Sequence, residues 1–248
     1  MKLKEIFDQL TYGELSQISI GGGSAGQIRP QDYAKMVAHV NLGLAALYKR
    51  FTLKKGTLYL ELQPGQTRYI LNSKFALTAR TSREAVRYIK DTTALPFLDD
   101  INKVETIFSD SGFEYALNNG VDSYSITTPS SKILEIPAAI VASDDTCPEE
   151  LWTKTLKVNY RAAALKCGNT DGDFDPEEVE VECPDTHLEA LLLFVASRVH
   201  TPAGIGGEDN TGNMYWQKYE LACQQLEQSN FEIDQGAQYN KLQRNGWV

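Results

Sequence analysis

Three alternating aspartates, Asp171-x-Asp173-x-Asp175, with Glu182 at the twelfth position, come nearest to a metal-binding pattern in this chain. Alternating carboxylates closed by a bidentate glutamate are how an EF-hand loop surrounds calcium with oxygen. Pro176 stands where that loop needs glycine for its sharp turn, and the flanking residues read as strands. The segment is therefore read as a solvated acidic hairpin tip, with a weak calcium site of another kind as the alternative. The three histidines, His39, His187 and His200, show no H-x-x-x-H spacing and stand near no cysteine pair, the arrangements that hold zinc. No metal and no cofactor is expected. His187 or His200 with neighbouring carboxylates would be the start of a hydrolase, but no G-x-S-x-G nucleophile elbow accompanies them, and the chain is read as not an enzyme. His39 falls inside a helix and is expected to be a hydrogen-bonded structural residue.

The remaining reactive or charged features read as structural. Gly21-Gly22-Gly23-Ser24-Ala25-Gly26 lacks the Gly-Lys-Ser/Thr that closes a phosphate-binding loop, and is read as a linker. Lys54-Lys55 has no interleaved aromatics and reads as punctuation at a strand edge rather than a nucleic-acid patch. Cys147, Cys167, Cys183 and Cys223 lie far apart with no C-x-x-C. Lys2 and Lys4 are followed by an amphipathic segment and not by an apolar h-region, so no secretory leader is expected and the thiols are read as reduced and structural. The tail 236–248 carries Tyr239, Lys241, Leu242, Arg244, Trp247 and Val248 and no acidic side chain. Trp, Tyr and Arg are the usual anchors of interfaces, so this tail is read as an arm that orders on a partner.

The elements that must position these residues follow from periodicity. Leu3, Ile6, Phe7 and Leu10 form a helical stripe, with Thr11-x-x-Glu14 as a capping box for a second short helix. Pro30 opens a long helix whose stripe is Tyr33, Met36, Val37, Val40, Leu44, Leu47, Tyr48 and Phe51. From Thr57 the period changes to two: Leu58, Leu60 and Leu62 alternate with polar neighbours, and Pro64-Gly65 turns the chain into a second strand over 67–71. Residues 95–100 read as irregular. Short strands are expected over 103–109, 113–117, 123–127 and 132–136, with Pro129-Ser130-Ser131 as a turn, then over 155–165 and 178–182. Pro184 to Phe231 reads as an αα-hairpin. Thr186 and Glu189 form a capping box, Leu188, Leu191, Leu192, Val195 and Val199 make the first stripe, and Tyr215, Trp216, Tyr219, Ala222, Cys223 and Leu226 the second. No apolar run reaches the roughly 20 residues that a bilayer requires.

This order, helices then strands then helices, is α+β with segregated layers. The expected architecture is a discontinuous antiparallel helical bundle from both chain ends, an inserted antiparallel β-sandwich or small barrel, and an extended C-terminal arm. The expected divisions are 1–56, 57–183, 184–235 and 236–248. The formal net charge is −9, and residues 141–185 hold twelve acidic against four basic side chains, whereas the first sixty hold eight basic against four acidic. Such a chain does not grip nucleic acid by neutralising phosphates; its asymmetry suits docking of one end on a partner.

With the layout assembled, the chain resembles the head–tail adaptor proteins of tailed phages, the group that includes the tail tubular protein A family. The likeness lies in the order of parts. An N-terminal segment leads into a helix ending His39-Val40-Asn41-Leu42-Gly43-Leu44-Ala45-Ala46-Leu47-Tyr48-Lys49-Arg50-Phe51. A β insert follows with Tyr69-Ile70-Leu71-Asn72-Ser73-Lys74-Phe75 near its start, then a long helical hairpin, and the chain closes on Asn245-Gly246-Trp247-Val248. The resemblance covers most of the chain and brings no catalytic motif. It implies a homo-oligomeric ring, commonly dodecameric, beneath the portal at the head–tail interface of the virion. In such a ring the helical bundle faces the portal protein, a C-terminal extension contacts it, and tail proteins meet the other side. DNA passes through the lumen without specific binding. The arm residues are then Tyr239, Leu242, Arg244, Trp247 and Val248. Host cytoplasm during assembly and no membrane partner are implied with it. A ligand- or calcium-binding β module on a helical stalk is the alternative.

Overall fold

The computed structural model describes residues 1–18, 20, 24–79, 86–141, 153–168, 174–200 and 211–229. Among these the architecture is α+β, with five α-helices and two antiparallel sheets. Contacts divide the chain into two compact units, Met1–Leu53 with Leu165–Val248, and Lys54–Ala164. Residues 165–183, which the strand reading places in the insert, group with the helices. No helix among the described residues is long and apolar enough to cross a membrane.

In the helical unit, α1 (Leu3–Tyr12) buries Leu3, Ile6, Phe7 and Leu10, the stripe its spacing predicts. Its first turn is closed by the Glu5 carboxylate, which accepts the Lys2 backbone N–H at 3.1 Å. The expected capping box at Thr11 and Glu14 does not form. α1 runs through Thr11, the Gly13 N–H closes the last turn on Gln9, and the Leu15 N–H reaches the Leu10 carbonyl. The chain thus folds back to bury Leu15 instead of starting a second helix.

Pro30 opens one 3-10 turn, and α2 (Tyr33–Arg50) follows, burying Met36, Val37, Val40, Leu44, Leu47 and Tyr48. α4 (Leu188–His200) is buried at every residue from Ala190 to Ser197, because α1, α2 and α5 (Thr211–Gln228) all pack on it. Gly43 sets how closely α2 approaches α4: a Cβ there would lie 2.6 Å from Leu191 Cδ1 and 3.1 Å from Phe194 Cδ1. Phe194 meets Tyr219 and Trp216 of α5 at centroid distances of 5.3 and 6.0 Å. Arg50, in the last turn of α2, forks onto two carboxylates of α5, Glu220 and Glu227, at 2.7 Å each. α4 begins without the expected Thr186–Glu189 box: a 3-10 turn, Asp185–His187, leads into it, and the Thr186 hydroxyl lies 2.9 Å from His187 Nδ1 instead.

Residues 178–182 are not a strand of the insert. Their partner is the start of the chain: Leu3 N–H donates to Val179, Val181 N–H to Met1, each at 2.9 Å, with a single antiparallel bridge between Lys2 and Glu180. The Asn41 amide clasps Cys167 in the same way, accepting its N–H at 2.9 Å and donating to its carbonyl at 3.3 Å.

The second unit holds β1 (Lys55–Glu61), β2 (Arg68–Ile70), β3 (Ile89–Lys90), β4 (Ile101–Phe108), β5 (Glu114–Tyr115), β6 (Thr127–Ser130), β7 (Ile133–Glu135), the short helix α3 (Ala138–Val141) and β8 (Thr155–Ala162). One sheet has the order β3-β1-β8-β4-β5 and the other β2-β7-β6, so among the described residues neither closes into a barrel. Both sheets share one apolar core, including Leu58, Leu60, Tyr69, Tyr88, Ile107, Leu134 and Val158. The turn at Pro64-Gly65 exists, with Gly65 at φ 75°, but it does not make a hairpin. β1 pairs along its whole length with β8, and β2 pairs with β7. Both edges of β1 are taken, one by β8 and the other, at Tyr59 and Leu60, by β3. Tyr69 OH accepts the Gln63 N–H at 2.7 Å and Tyr88 OH accepts the Ile70 N–H at 2.9 Å, so the backbone donors around the turn are satisfied without strand pairing. Pro129, expected in a turn, lies inside β6, an edge strand that can spare an N–H.

Candidate functional site

The expected arm residues Tyr239, Leu242, Arg244, Trp247 and Val248 lie outside the described residues. So do Asp171 and Asp173 of the acidic loop, Cys147, and the glycines of the bend after α4. Asp175 is described and acts on its own backbone: its Oδ1 accepts the Glu177 N–H at 2.9 Å and its carbonyl the Glu178 N–H at 3.2 Å. This is an aspartate turning the chain. The Glu182 carbonyl accepts from Tyr48 OH at 2.8 Å. Among the described residues no three His, Cys, Asp or Glu side chains gather to hold a metal ion.

An open groove of about 490 Å³ lies in the helical unit between the turn after α1 and the facing sides of α4 and α5. Its walls carry Glu14, Glu189, Leu193, Tyr215, Lys218 and Leu221. One backbone carbonyl organises it. Glu14 O lies 3.1 Å from His200 Nε2 and accepts from Tyr215 OH at 3.2 Å. The imidazole and phenol rings stack, with centroids 4.8 Å apart and planes 25° from parallel, and Lys218 Nζ stands 5.3 Å over the Tyr215 ring. Burial first, then the Glu14 carboxylate, push the Tyr215 phenol above its usual range. Tyr215 is therefore a neutral donor near neutrality, and His200 is occupied in joining α4 to the turn after α1. Among the described residues no hydroxyl or thiol of Ser, Thr or Cys lines the groove. Its chemistry is that of a contact surface: an apolar floor, two carboxylates and one ammonium.

The structure places the three histidines separately. His187 is 1% exposed with its ring edge-to-face on Phe51 at 4.9 Å. The Nδ1 of His39, expected to be hydrogen-bonded, is buried and has no hydrogen-bond partner among the described residues. Cys167, Cys183 and Cys223 are buried free thiols. Burial raises all three, Cys183 to about 11, which leaves them protonated and weakly nucleophilic near neutral pH. The lysine pair is not a free basic patch. Lys54 Nζ lies 3.9 Å from Asp100 and Lys55 Nζ 3.9 Å from Glu105, whose other oxygen is 2.6 Å from Arg161.

Sequence reasoning missed the exposed apolar side chains. Tyr12, Leu95 and Val121 are 84%, 80% and 96% exposed, and Met214, Trp216 and Leu221 stand half-exposed along α5. Position relative to the stripe carries the signal for Tyr12, which falls off the line of Leu3, Ile6, Phe7 and Leu10. Leu95 and Val121 sit beside Pro96 and Gly120, where chain direction changes. The sequence matches no protein-family model and no curated protein.

Proposed function

We propose that the chain is a structural virion protein, a head–tail adaptor that assembles as a ring beneath the portal, joins capsid to tail and gives DNA a passage. One observation carries this reading: the two chain ends build a single helical unit around α4, while the middle of the chain forms a separately cored β unit. That is the order of parts in the adaptors it resembles. In this reading the helical unit is an antiparallel bundle turned toward the portal, and the two sheets form a sandwich that meets tail proteins. Residues 236–248 are the arm, with Tyr239, Leu242, Arg244, Trp247 and Val248 as its anchors. Each copy presents one face to the next, and the contact closes around an axis. The half-exposed Met214, Trp216 and Leu221 on α5 suit such a contact. The net charge of −9 suits a lumen that DNA slides through without being held.

The test is co-sedimentation with portal rings of the intact chain and of a chain lacking residues 236–248, imaged by negative-stain electron microscopy. An added ring of density that is lost or weakened on truncation is the expected result. A ring formed equally by both would remove the arm and keep the adaptor. No association with any portal would remove both.

A further inference from the structure

We propose that α2 and α4 meet across an acid-sensitive seam, in which protonation of His39 and His187 loosens α4 from α2. The inference rests on geometry in the helical unit alone and stands whether or not the chain is an adaptor. His187 closes the 3-10 turn that leads into α4, is 1% exposed, and faces Phe51, the residue that caps α2. Its Nδ1 is engaged by the Thr186 hydroxyl at 2.9 Å, while its Nε2 is buried without a partner among the described residues. His39 lies on α2, and its buried Nδ1 is likewise unpartnered. A neutral imidazole tolerates one such nitrogen, because that nitrogen is then the acceptor without a proton. A charged imidazolium must donate from both, and each ring here has one donor with nowhere to go.

The charged groups around the two rings give no relief. From α2 the group facing His187 is the apolar Phe51. On its own segment Glu182, Asp185 and Glu189 flank it, yet burial alone accounts for the lowering of its pKa. The group that acts on His39 from α4 is Arg198, a like charge once the ring is protonated; on α2 itself Lys35 lies one turn away. Burial first and Arg198 second lower the His39 pKa. His200 is placed differently: its Nε2 lies 3.1 Å from the Glu14 carbonyl.

The sign follows. Both rings have folded values below the unfolded one of about 6.5, so the unfolded or locally opened chain binds more protons at lower pH. Stability of the seam is full above about pH 6.5 and falls as pH drops through the window between the two values. Each histidine contributes about a tenfold loss in the closing equilibrium per pH unit within that window. Residues 54–164 contain no histidine, so the β unit lacks this response.

Hydrogen exchange of the full chain at pH 7.5 and pH 5.0, corrected for intrinsic rates, tests this. The expected result is lost protection in α2 and α4, with β1, β4 and β8 unchanged, and no such loss in the double variant His39→Leu, His187→Phe. Equal protection at both pH values, or equal loss in the variant, overturns the proposal. Should the variant not fold, imidazole NMR of the unmodified chain decides. Folded His39 and His187 that stay neutral until native signals disappear support the seam; folded rings that titrate near 6.5 overturn it.

Discussion

Asp91 shows how one carboxylate orders a loop. It accepts the Thr78 N–H at 3.0 Å, the Thr78 hydroxyl, and the Phe97 N–H at 3.1 Å, and so ties two turns to the end of β3. Burial pushes its carboxyl up, but these bonds outweigh burial and hold it below the usual carboxylate range. Asp91→Ala leaves the Thr78 and Phe97 donors unmet and is expected to cost about 1–3 kcal/mol in urea unfolding. The sign for acid is that of a depressed carboxyl: its contribution is present above about pH 4 and is lost as pH falls through the folded value. Acid therefore acts on the β unit below pH 4, and acid unfolding followed by tryptophan and tyrosine signals should lose this low-pH component in Asp91→Ala. Gly56 stands where a side chain would meet an aromatic ring. It pairs with Tyr160 across β1 and β8, and a Cβ at Gly56 would lie 2.3 Å from the ring. Gly56→Ala must turn the ring away and break its 3.1 Å bond to Asp100. We expect a loss of about 1–3 kcal/mol that largely disappears in a Tyr160→Ala background, read from a double-mutant cycle.

At the scale of elements, Gly43 decides how α2 and α4 meet. Alanine is the better helix former by about 1 kcal/mol, yet its methyl group would overlap Leu191. Overpacking of a full core costs about 1–3 kcal/mol, so Gly43→Ala is expected to be net destabilising. In a Leu191→Ala background the closer obstruction is gone and only Phe194 Cδ1 at 3.1 Å remains, so the cost of the same change should shrink; thermal unfolding of the four chains reads this coupling. Arg50 works differently. Its two partners on α5 are more than a third exposed, and solvent screens such pairs. Arg50→Ala is expected to cost less than about 1 kcal/mol globally. Its effect should appear locally, as faster hydrogen exchange over the last turns of α5.

At the scale of the molecule, the β unit has its own core and its ends meet: the Ala162 N–H donates to the Lys54 carbonyl at 3.0 Å. A segment with its own core and adjoining ends is able to fold by itself. The fragment 54–164 is expected to fold when produced alone, giving dispersed NMR signals and cooperative unfolding. A collapsed spectrum would show that the helical unit is needed to hold it.

The existence and type of the main elements are written into local residue patterns. The stripes of α1, α2 and α4 and the alternation of β1 are local, because a side chain's direction repeats with the backbone's own period. Which elements meet depends on packing between distant parts of the chain. β1 pairs with β8, about a hundred residues away, and with β3 on its other edge, which leaves no edge for β2 across a good turn. Residues 178–182 have strand-like alternation, and only the folded chain brings Met1–Leu3 to pair with them. The groove was illegible for the same reason: its central acceptor, Glu14 O, is 186 residues from His200 and 201 from Tyr215. No residue type announces a backbone carbonyl as a site. Likewise His39 and His187 differ from ordinary histidines only because α2 and α4 close around them, and desolvation depends on what packs against a group rather than on its neighbours in sequence.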